Sequence, residues 1–367
     1  MKYPRPKYQD PAQKTNTNGT GFFGATPATS PVFDAPITRR ENFIRAAKRE
    51  NPMWVPVSYS DIQYRMPNEL ADEIGNRQLG PRFHAPSPVD YTFFDSFGNS
   101  WTWCADAVGA MLTPGTKLVE DVCDWEKIIK FPDFNEWNYR ERAEKYLKTE
   151  YDPEKVLHVN IYQGLTEMLV AFLGGYGEGM MALAEEPEAC KDFFWRFAQY
   201  MIDYFDYLNE LYPIDYVTYH DDWGTERDTF FSERMMEELV YEPTKKIVDH
   251  IKSKDKIFEL HSCGRIERFF PYIADLNIDL VWMQSRANDM QMLKAKYGDK
   301  VGFVVPLDDF VPGEPQTDEE LIKLVRSNVD KYAAGGGYVP FLLSIDPKET
   351  WTIGSELHAY SREFYEK

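Results

Sequence analysis

No stretch of this chain is apolar over the roughly 18 residues that a membrane-crossing helix needs, so no transmembrane segment is expected. The N-terminal residues are polar and rich in Pro, Thr, Gly and Asn, without the apolar core of a secretory signal. Cysteine is scarce. Cys104, Cys123, Cys190 and Cys263 are scattered over 367 residues without a framework spacing, and they read as reduced thiols. Basic residues are in the minority, 41 against 60 acidic ones, and the resulting net charge of −19 argues against binding to nucleic acid or to an anionic membrane surface. No glycine-rich phosphate loop follows a strand-like run, which disfavours a dinucleotide-binding sheet. No short-period repeat is present. Together these absences make a cytoplasmic protein with reduced thiols the expectation.

What is present supports a large core: 43% of residues are hydrophobic and 15% aromatic. The length suits two domains, or one α/β barrel. Residues 1–37 read as an arm that wraps a partner subunit or stays mobile, which makes a homodimer plausible, and residues 38–367 as the body. A helix is expected over 42–49, with Phe43, Ile44, Ala46 and Ala47 as its apolar stripe, followed by a first strand at 53–57. The segment 59–133 is unusually aromatic and contains a hairpin signal, Asp95 to Trp101; it reads as an insertion over one barrel mouth. Its aromatic side chains either line a pocket for a flat substrate or pack the insertion itself. From 140 onward, β-rich runs at 156–162, 216–220, 256–261, 280–283, 301–305 and 338–343 alternate with helical segments at 168–184, 187–211, 232–253, 266–274, 288–297 and 318–334. Such alternation means βα units and a parallel sheet. With 53–57 this makes seven strands, and an eighth hidden in 60–130 would close a (β/α)8 barrel of the TIM type.

Within that frame the strand ends carry the chemistry. The run Glu259-Leu260-His261-Ser262-Cys263-Gly264 ends in His-x-Cys-Gly. Imidazole and thiolate are ligands that zinc favours, and an i, i+2 spacing puts both on one strand face. Glu259 shares that face. At the end of the 216–220 run stand Asp221 and Asp222, adjacent carboxylates able to ligate a metal, orient a histidine or act as an acid and base pair; helix capping is the plain alternative. Asp308 and Asp309 form a second such pair, for which capping is favoured. Asn160 and Tyr162 share a strand face and are pocket candidates, as is Gln284. Trp54 belongs to the aromatic set near the first strand.

His220-Asp221-Asp222-Trp223-Gly224-Thr225, Phe231-Ser232, Leu260-His261-Ser262-Cys263-Gly264 and Gly335-Gly336-Gly337-Tyr338 follow one another in an order and spacing that resembles the uroporphyrinogen decarboxylase superfamily. Arg40-Glu41-Asn42-Phe43 and Asp95-x-Phe97-Gly98-x-x-Trp101 extend the likeness, which covers roughly residues 38 to 365. The resemblance implies a distorted (β/α)8 barrel. The porphyrin-decarboxylating branch carries arginines after the first strand that grip the substrate's carboxylates. This chain has Val57-Ser58-Tyr59-Ser60-Asp61-Ile62-Gln63 there, with no arginine before Arg65.

The other branch comprises corrinoid-dependent methyltransferases, including methyl-transferring components of O-demethylases, and His-x-Cys-Gly is its mark. In its zinc members a further cysteine follows the last strand. Here that place falls on or near Ser344, with Asp346 two residues on, and no cysteine follows Cys263. The resemblance thus implies zinc on His261 and Cys263 with Glu259, Asp346 or an acid from Asp221 and Asp222 completing the site. Replacing a thiolate by a carboxylate makes the metal a stronger Lewis acid, suited to polarising an ether or alcohol oxygen.

The expected activity is transfer of a methyl group between a small, methoxylated or similar donor and the corrinoid of a partner protein. In that expectation Asp222 orients His261 or shuttles a proton, Asp221 and Asn160 belong to the catalytic set, and Tyr162, Gln284 and Trp54 contact the donor. Two rival expectations stand beside it: a metal-independent decarboxylase or lyase acting on a non-porphyrin substrate, and a catalytically idle binding protein, for which the missing third cysteine argues.

Overall fold

The computed structural model describes residues 2–5, 16–17, 29–30, 33–65, 89–106, 109–134, 139–161, 164–311, 314, 316–341 and 346–367. In chain order the strands are β1 (Ile62–Arg65), β2 (Tyr91–Phe94), β3 (Ser100–Cys104), β4 (Gly109–Leu112), β5 (Val156–Ile161), β6 (Tyr216–His220), β7 (Ile257–Ser262), β8 (Leu280–Met283), β9 (Gly302–Pro306) and β10 (Tyr338–Phe341). A two-residue pairing of Asn16–Thr17 with Thr29–Ser30 precedes them. β1 and β5 to β10 belong to a seven-stranded sheet, while β2, β3 and β4 make a separate antiparallel one. Helices separate the strands from β5 onward, so the fold is α/β, with seven sheet strands among the described residues where eight were expected. Among those residues no helix is long and apolar enough to cross a membrane.

The chain divides into two compact units. One holds Met1–Tyr64, Asp152–His158 and Asn277–Lys367; the other holds Arg65–Tyr151 and Val159–Leu276.

In the first unit the helix Arg39–Lys48 starts at Thr38, whose hydroxyl accepts the Glu41 N–H at 3.0 Å. Phe43, Ala46 and Ala47 are its buried stripe. The strand expected at 53–57 is absent, and the reason is visible in its backbone partners. Asn42 Oδ1 accepts the N–H groups of Met53 (2.8 Å) and Trp54 (3.3 Å), Ser361 Oγ accepts that of Val55 (2.8 Å), and Asp61 Oδ2 accepts that of Val57 (3.1 Å). Side chains have taken the donors that a neighbouring strand would otherwise pair. β8, β9 and β10 lie side by side in parallel, Leu280 beside Gly302 and Phe303 beside Tyr338. The Asp308 carboxylate accepts from the Tyr332 hydroxyl at 2.6 Å and pairs with Lys331 at 3.2 Å, so it anchors the helix Asp318–Tyr332. The described parts of the expected N-terminal arm fasten on the helix Pro347–Tyr365: Phe33 stacks on His358 at 3.7 Å, and Arg5 pairs with the buried Glu356 at 3.0 Å.

In the second unit β6 and β7 are parallel and wholly buried, as strands covered on both faces must be. The single helix expected over 168–184 is two, Leu165–Leu173 and Tyr176–Glu185, broken at Gly174-Gly175. The helix Pro187–Leu211 opens on proline and buries Phe193, Phe194, Phe197, Met201, Phe205 and Leu208. It packs against the helix Tyr241–Ser253. The expected hairpin is present, and Asp95 organises its turn. That carboxylate accepts the N–H groups of Phe97 and Asn99, the Asn99 amide and the Trp101 indole N–H, each at 2.9 Å. Phe97 then sits 5.5 Å from Phe172, 5.6 Å from Tyr200 and 5.9 Å from Phe197. These contacts put Phe97 in the packing of the insertion, with each ring pair contributing about 0.5–1.5 kcal/mol beyond its burial.

Candidate metal centre

The centre grows from the register of β6 on β7. Thr218 stands beside Glu259, and His220 beside His261, with all four on one face because side chains alternate along a strand. Glu259 is 1% exposed, and its carboxylate accepts from Thr218 Oγ1 at 2.6 Å and from the Tyr216 hydroxyl. Burial pushes its carboxyl up to about 7 despite those two donors. One layer nearer the strand ends, the His220 and His261 rings stack at 3.9 Å and 24°.

The chain leaving each strand is tied to the other. The Asp221 N–H donates to the His261 carbonyl at 3.0 Å, and the Trp223 N–H to Ser262 Oγ at 2.9 Å. In return the Cys263 N–H donates to Asp222 Oδ1 at 2.8 Å. The closeness explains the glycines of the two motifs. A Cβ on Gly264, whose φ is +75°, would lie 2.2 Å from the Gly224 backbone, so only glycine fits both the conformation and the approach.

This arrangement brings His220, Asp222 and His261 together, all buried, with a ligand atom of each within 4.8 Å of the others. Nε2 of His261 is 3.7 Å from Asp222 Oδ1 and 3.5 Å from Cys263 Sγ. Two buried imidazoles and a buried carboxylate, with the half-buried Cys263 thiol beside them, are a donor set for a transition-metal or zinc ion, and the group of three is able to hold one.

The adjacent carboxylates have separate surroundings. Asp221 is fully buried and points at the start of the helix Leu165–Leu173. It accepts from the Thr166 N–H (3.1 Å) and hydroxyl (2.6 Å), the Glu167 N–H (3.0 Å) and the Trp223 indole N–H (3.0 Å). Burial pushes its carboxyl up to about 6 against the pull of those donors. Glu167 stands in the first turn of that helix, with Oε2 3.4 Å from Nδ1 of His220.

Of the residues expected from sequence, the structure thus joins His261, Cys263 and Asp222. It places Glu259 a layer below them, bonded to Tyr216 and Thr218, and Asp221 at a helix start. Asn160 is buried on β5. Tyr162 and Ser344 lie outside the described residues. The remaining three belong to the first unit. Trp54 is buried, and its indole N–H donates to Asp61 at 3.4 Å. Gln284 is exposed, and its carbonyl accepts from Asn288 at 2.9 Å. Asp346 caps the helix Pro347–Tyr365 through the N–H groups of Lys348 (2.7 Å) and Glu349 (3.4 Å).

Two residues that the sequence reading did not single out stand here, His220 in the group able to hold a metal and Glu167 beside it. The signal for His220 was that two successive sheet strands each carry a histidine at the C-terminal end.

The family described as Uroporphyrinogen decarboxylase (URO-D) matches residues 116–342. Among solved structures, a methyltransferase from Methanosarcina mazei resembles the chain with a TM-score of 0.55, covering 90% of this chain and 100% of that one at 13% sequence identity. This is a likeness of fold. No curated protein matches the chain in sequence.

Proposed function

The chain belongs to the uroporphyrinogen decarboxylase family, and from that membership and the centre on β6 and β7 we propose a zinc-dependent methyltransferase. In this reading it is a cytoplasmic enzyme that moves a methyl group between a small donor, methoxylated or similar, and the cobalt of a corrinoid carried by a separate protein. One observation carries the reading: His220, Asp222 and His261 converge within 4.8 Å, with the Cys263 thiol 3.5 Å from His261. The name of the Methanosarcina mazei structure points the same way. So does residue 61. Where porphyrin decarboxylases would place arginines for an anionic tetrapyrrole, this chain buries the Asp61 carboxylate against the Trp54 indole and the Val57 N–H.

His220, Asp222 and His261 would hold the ion, with Cys263 as a further donor. When bound, zinc supplies Lewis acidity that stabilises negative charge on the donor's heteroatom as the bond from methyl carbon to heteroatom breaks. Transfer would leave the bond's electron pair on that heteroatom, and the partner's corrinoid would supply the reduced cobalt that accepts the methyl group. The residues of the chain prepare this. The Cys263 N–H fixes Asp222 Oδ1 beside His261. Both histidines and Asp222 are buried, which keeps bulk water from the atoms that would hold the ion. Asn160, buried on β5 in the same unit as the centre, is assigned to contacts with the donor.

The test is methyl transfer to cob(I)alamin from a panel of methanol, methoxylated aromatics and methylamines, beside a panel of carboxylic acids assayed for CO2 release. Methylation of cobalt that disappears in His261→Ala supports the reading. CO2 release that survives chelation, with no cobalt methylated, favours the metal-independent decarboxylase or lyase.

A further inference from the structure

Glu167 takes no part in the mechanism above, yet its position is costly to maintain. Its side chain is 3% exposed, and a carboxylate so placed needs a partner. Part of that need is met by His220, itself 1% exposed, whose Nδ1 lies 3.4 Å from Glu167 Oε2, at the long end of the hydrogen-bond range. An ionised carboxylate only accepts, so the contact requires the proton on Nδ1. In a neutral imidazole the lone pair then resides on Nε2, the nitrogen that a metal ion would take.

The carboxylate is held there by the residue next to His220. Asp221 accepts the N–H groups of Thr166 and Glu167 at 3.1 and 3.0 Å and the Thr166 hydroxyl at 2.6 Å, while the Tyr219 hydroxyl accepts the Leu165 N–H at 2.8 Å. Consecutive N–H groups of the helix's first turn are therefore bound to the end of the strand that presents His220. The fit is close: a Cβ on Gly164 would lie 2.3 Å from Asp221 Cβ. The strand end that carries the histidine also grips the helix that carries its carboxylate.

We propose that Glu167 is the positioning residue of the centre. This deepens the metal-site reading and rests on it: Glu167 accepts the Nδ1 proton of His220 and holds that imidazole as the tautomer with its lone pair on Nε2. Asp221 keeps Glu167 in place by clamping the first turn of the helix Leu165–Leu173. A carboxylate behind a histidine ligand fixes the ring and raises its basicity, and its loss typically weakens metal binding by about 10- to 100-fold.

Two measurements test this. In metal-free protein labelled with 15N at its six histidines, long-range proton–nitrogen correlations report the tautomer of each ring, with His220→Ala assigning the signal. The expected result is Nδ1–H for His220 in the wild type and a shift toward Nε2–H in Glu167→Ala. Zinc affinity is then measured by competition with a chromophoric chelator. Glu167→Ala is expected to bind about 10- to 100-fold more weakly. Glu167→Gln, nearly the same shape and still able to accept from Nδ1, should fall between that variant and the wild type. A purely structural role would lower the melting temperature of the metal-free variants while leaving affinity and tautomer alone. Unchanged tautomer in Glu167→Ala, or unchanged affinity in both variants of a zinc-binding wild type, overturns the proposal while the metal reading stands. A tautomer that follows Glu167 in a wild type that binds no zinc supports the positioning and removes the metal reading instead.

Discussion

His220 and His261 hold matched positions on adjacent parallel strands, and their rings stack at 3.9 Å. Two imidazoles this close and this buried cannot both carry charge cheaply, whereas a shared cation beside Asp222 is compatible with both as neutral ligands. Zinc added to metal-free protein should therefore raise the melting temperature, because a ligand that binds only the folded state stabilises it by about 2.7 kcal/mol at a hundredfold excess over Kd. Thermal unfolding with and without zinc checks this, and His220→Ala should abolish the shift as fully as His261→Ala does.

The contact between Gly264 and Gly224 makes a second prediction. Gly264→Ala introduces a Cβ 2.2 Å from the Gly224 backbone at φ +75°. A strained backbone residue costs about 1–3 kcal/mol before any displacement of the loop. Denaturant unfolding should show at least that loss, together with weaker zinc binding, since the same loop presents Cys263 and secures Asp222.

The hairpin turn offers a test away from the centre. Asp95→Ala strands the N–H groups of Phe97 and Asn99 and the Trp101 indole N–H. Leaving a buried donor without its acceptor costs about 1–3 kcal/mol each where water cannot reach it. A loss of a few kcal/mol in chemical denaturation is expected. A variant as stable as the wild type would show that the turn does not depend on the carboxylate.

Acid should unfold the protein partly through His358. Burial between Phe33 and Trp54, aided by the Arg362 charge, lowers its pKa to about 3 from an ordinary value of 6.5. Between those values the unfolded chain binds a proton that the folded chain refuses, so stability is present in full above about 6.5 and falls as pH drops toward 3. His158, lowered to about 3 by burial, acts in the same sense. His358→Phe should remove close to one proton, about 1.4 kcal/mol per pH unit, from the slope of stability against pH in that window. Urea midpoints measured from pH 7 to pH 4 decide it, and an unchanged slope would contradict the assignment.

The α/β alternation was legible because short, β-rich runs such as β6 and β7 differ in length and pattern from the amphipathic helices between them. The closeness of His261 to Cys263 was legible because an i, i+2 spacing puts both on one strand face. The place of His220 beside His261 was not recognised, because it depends on the register of β6 on β7, a long-range pairing that neither strand displays alone. Glu167 was invisible for another reason: a glutamate in a helix's first turn is ordinary, and only the burial of that turn against Asp221 makes it unusual. The apolar run at 53–57 looked like a strand, but Asn42, Asp61 and Ser361 supply its backbone acceptors from elsewhere. The break at Gly174-Gly175 could have been read from the glycine pair itself.

The most direct test of the central claim is elemental analysis of purified protein after incubation with zinc and removal of the excess. The wild type is compared with His220→Ala and with a control at a histidine elsewhere, His250→Ala, whose ring pairs with Asp206. The account predicts about one zinc per chain in the wild type and the control and none in His220→Ala. Zinc absent from the wild type, or retained in full by His220→Ala, would contradict it.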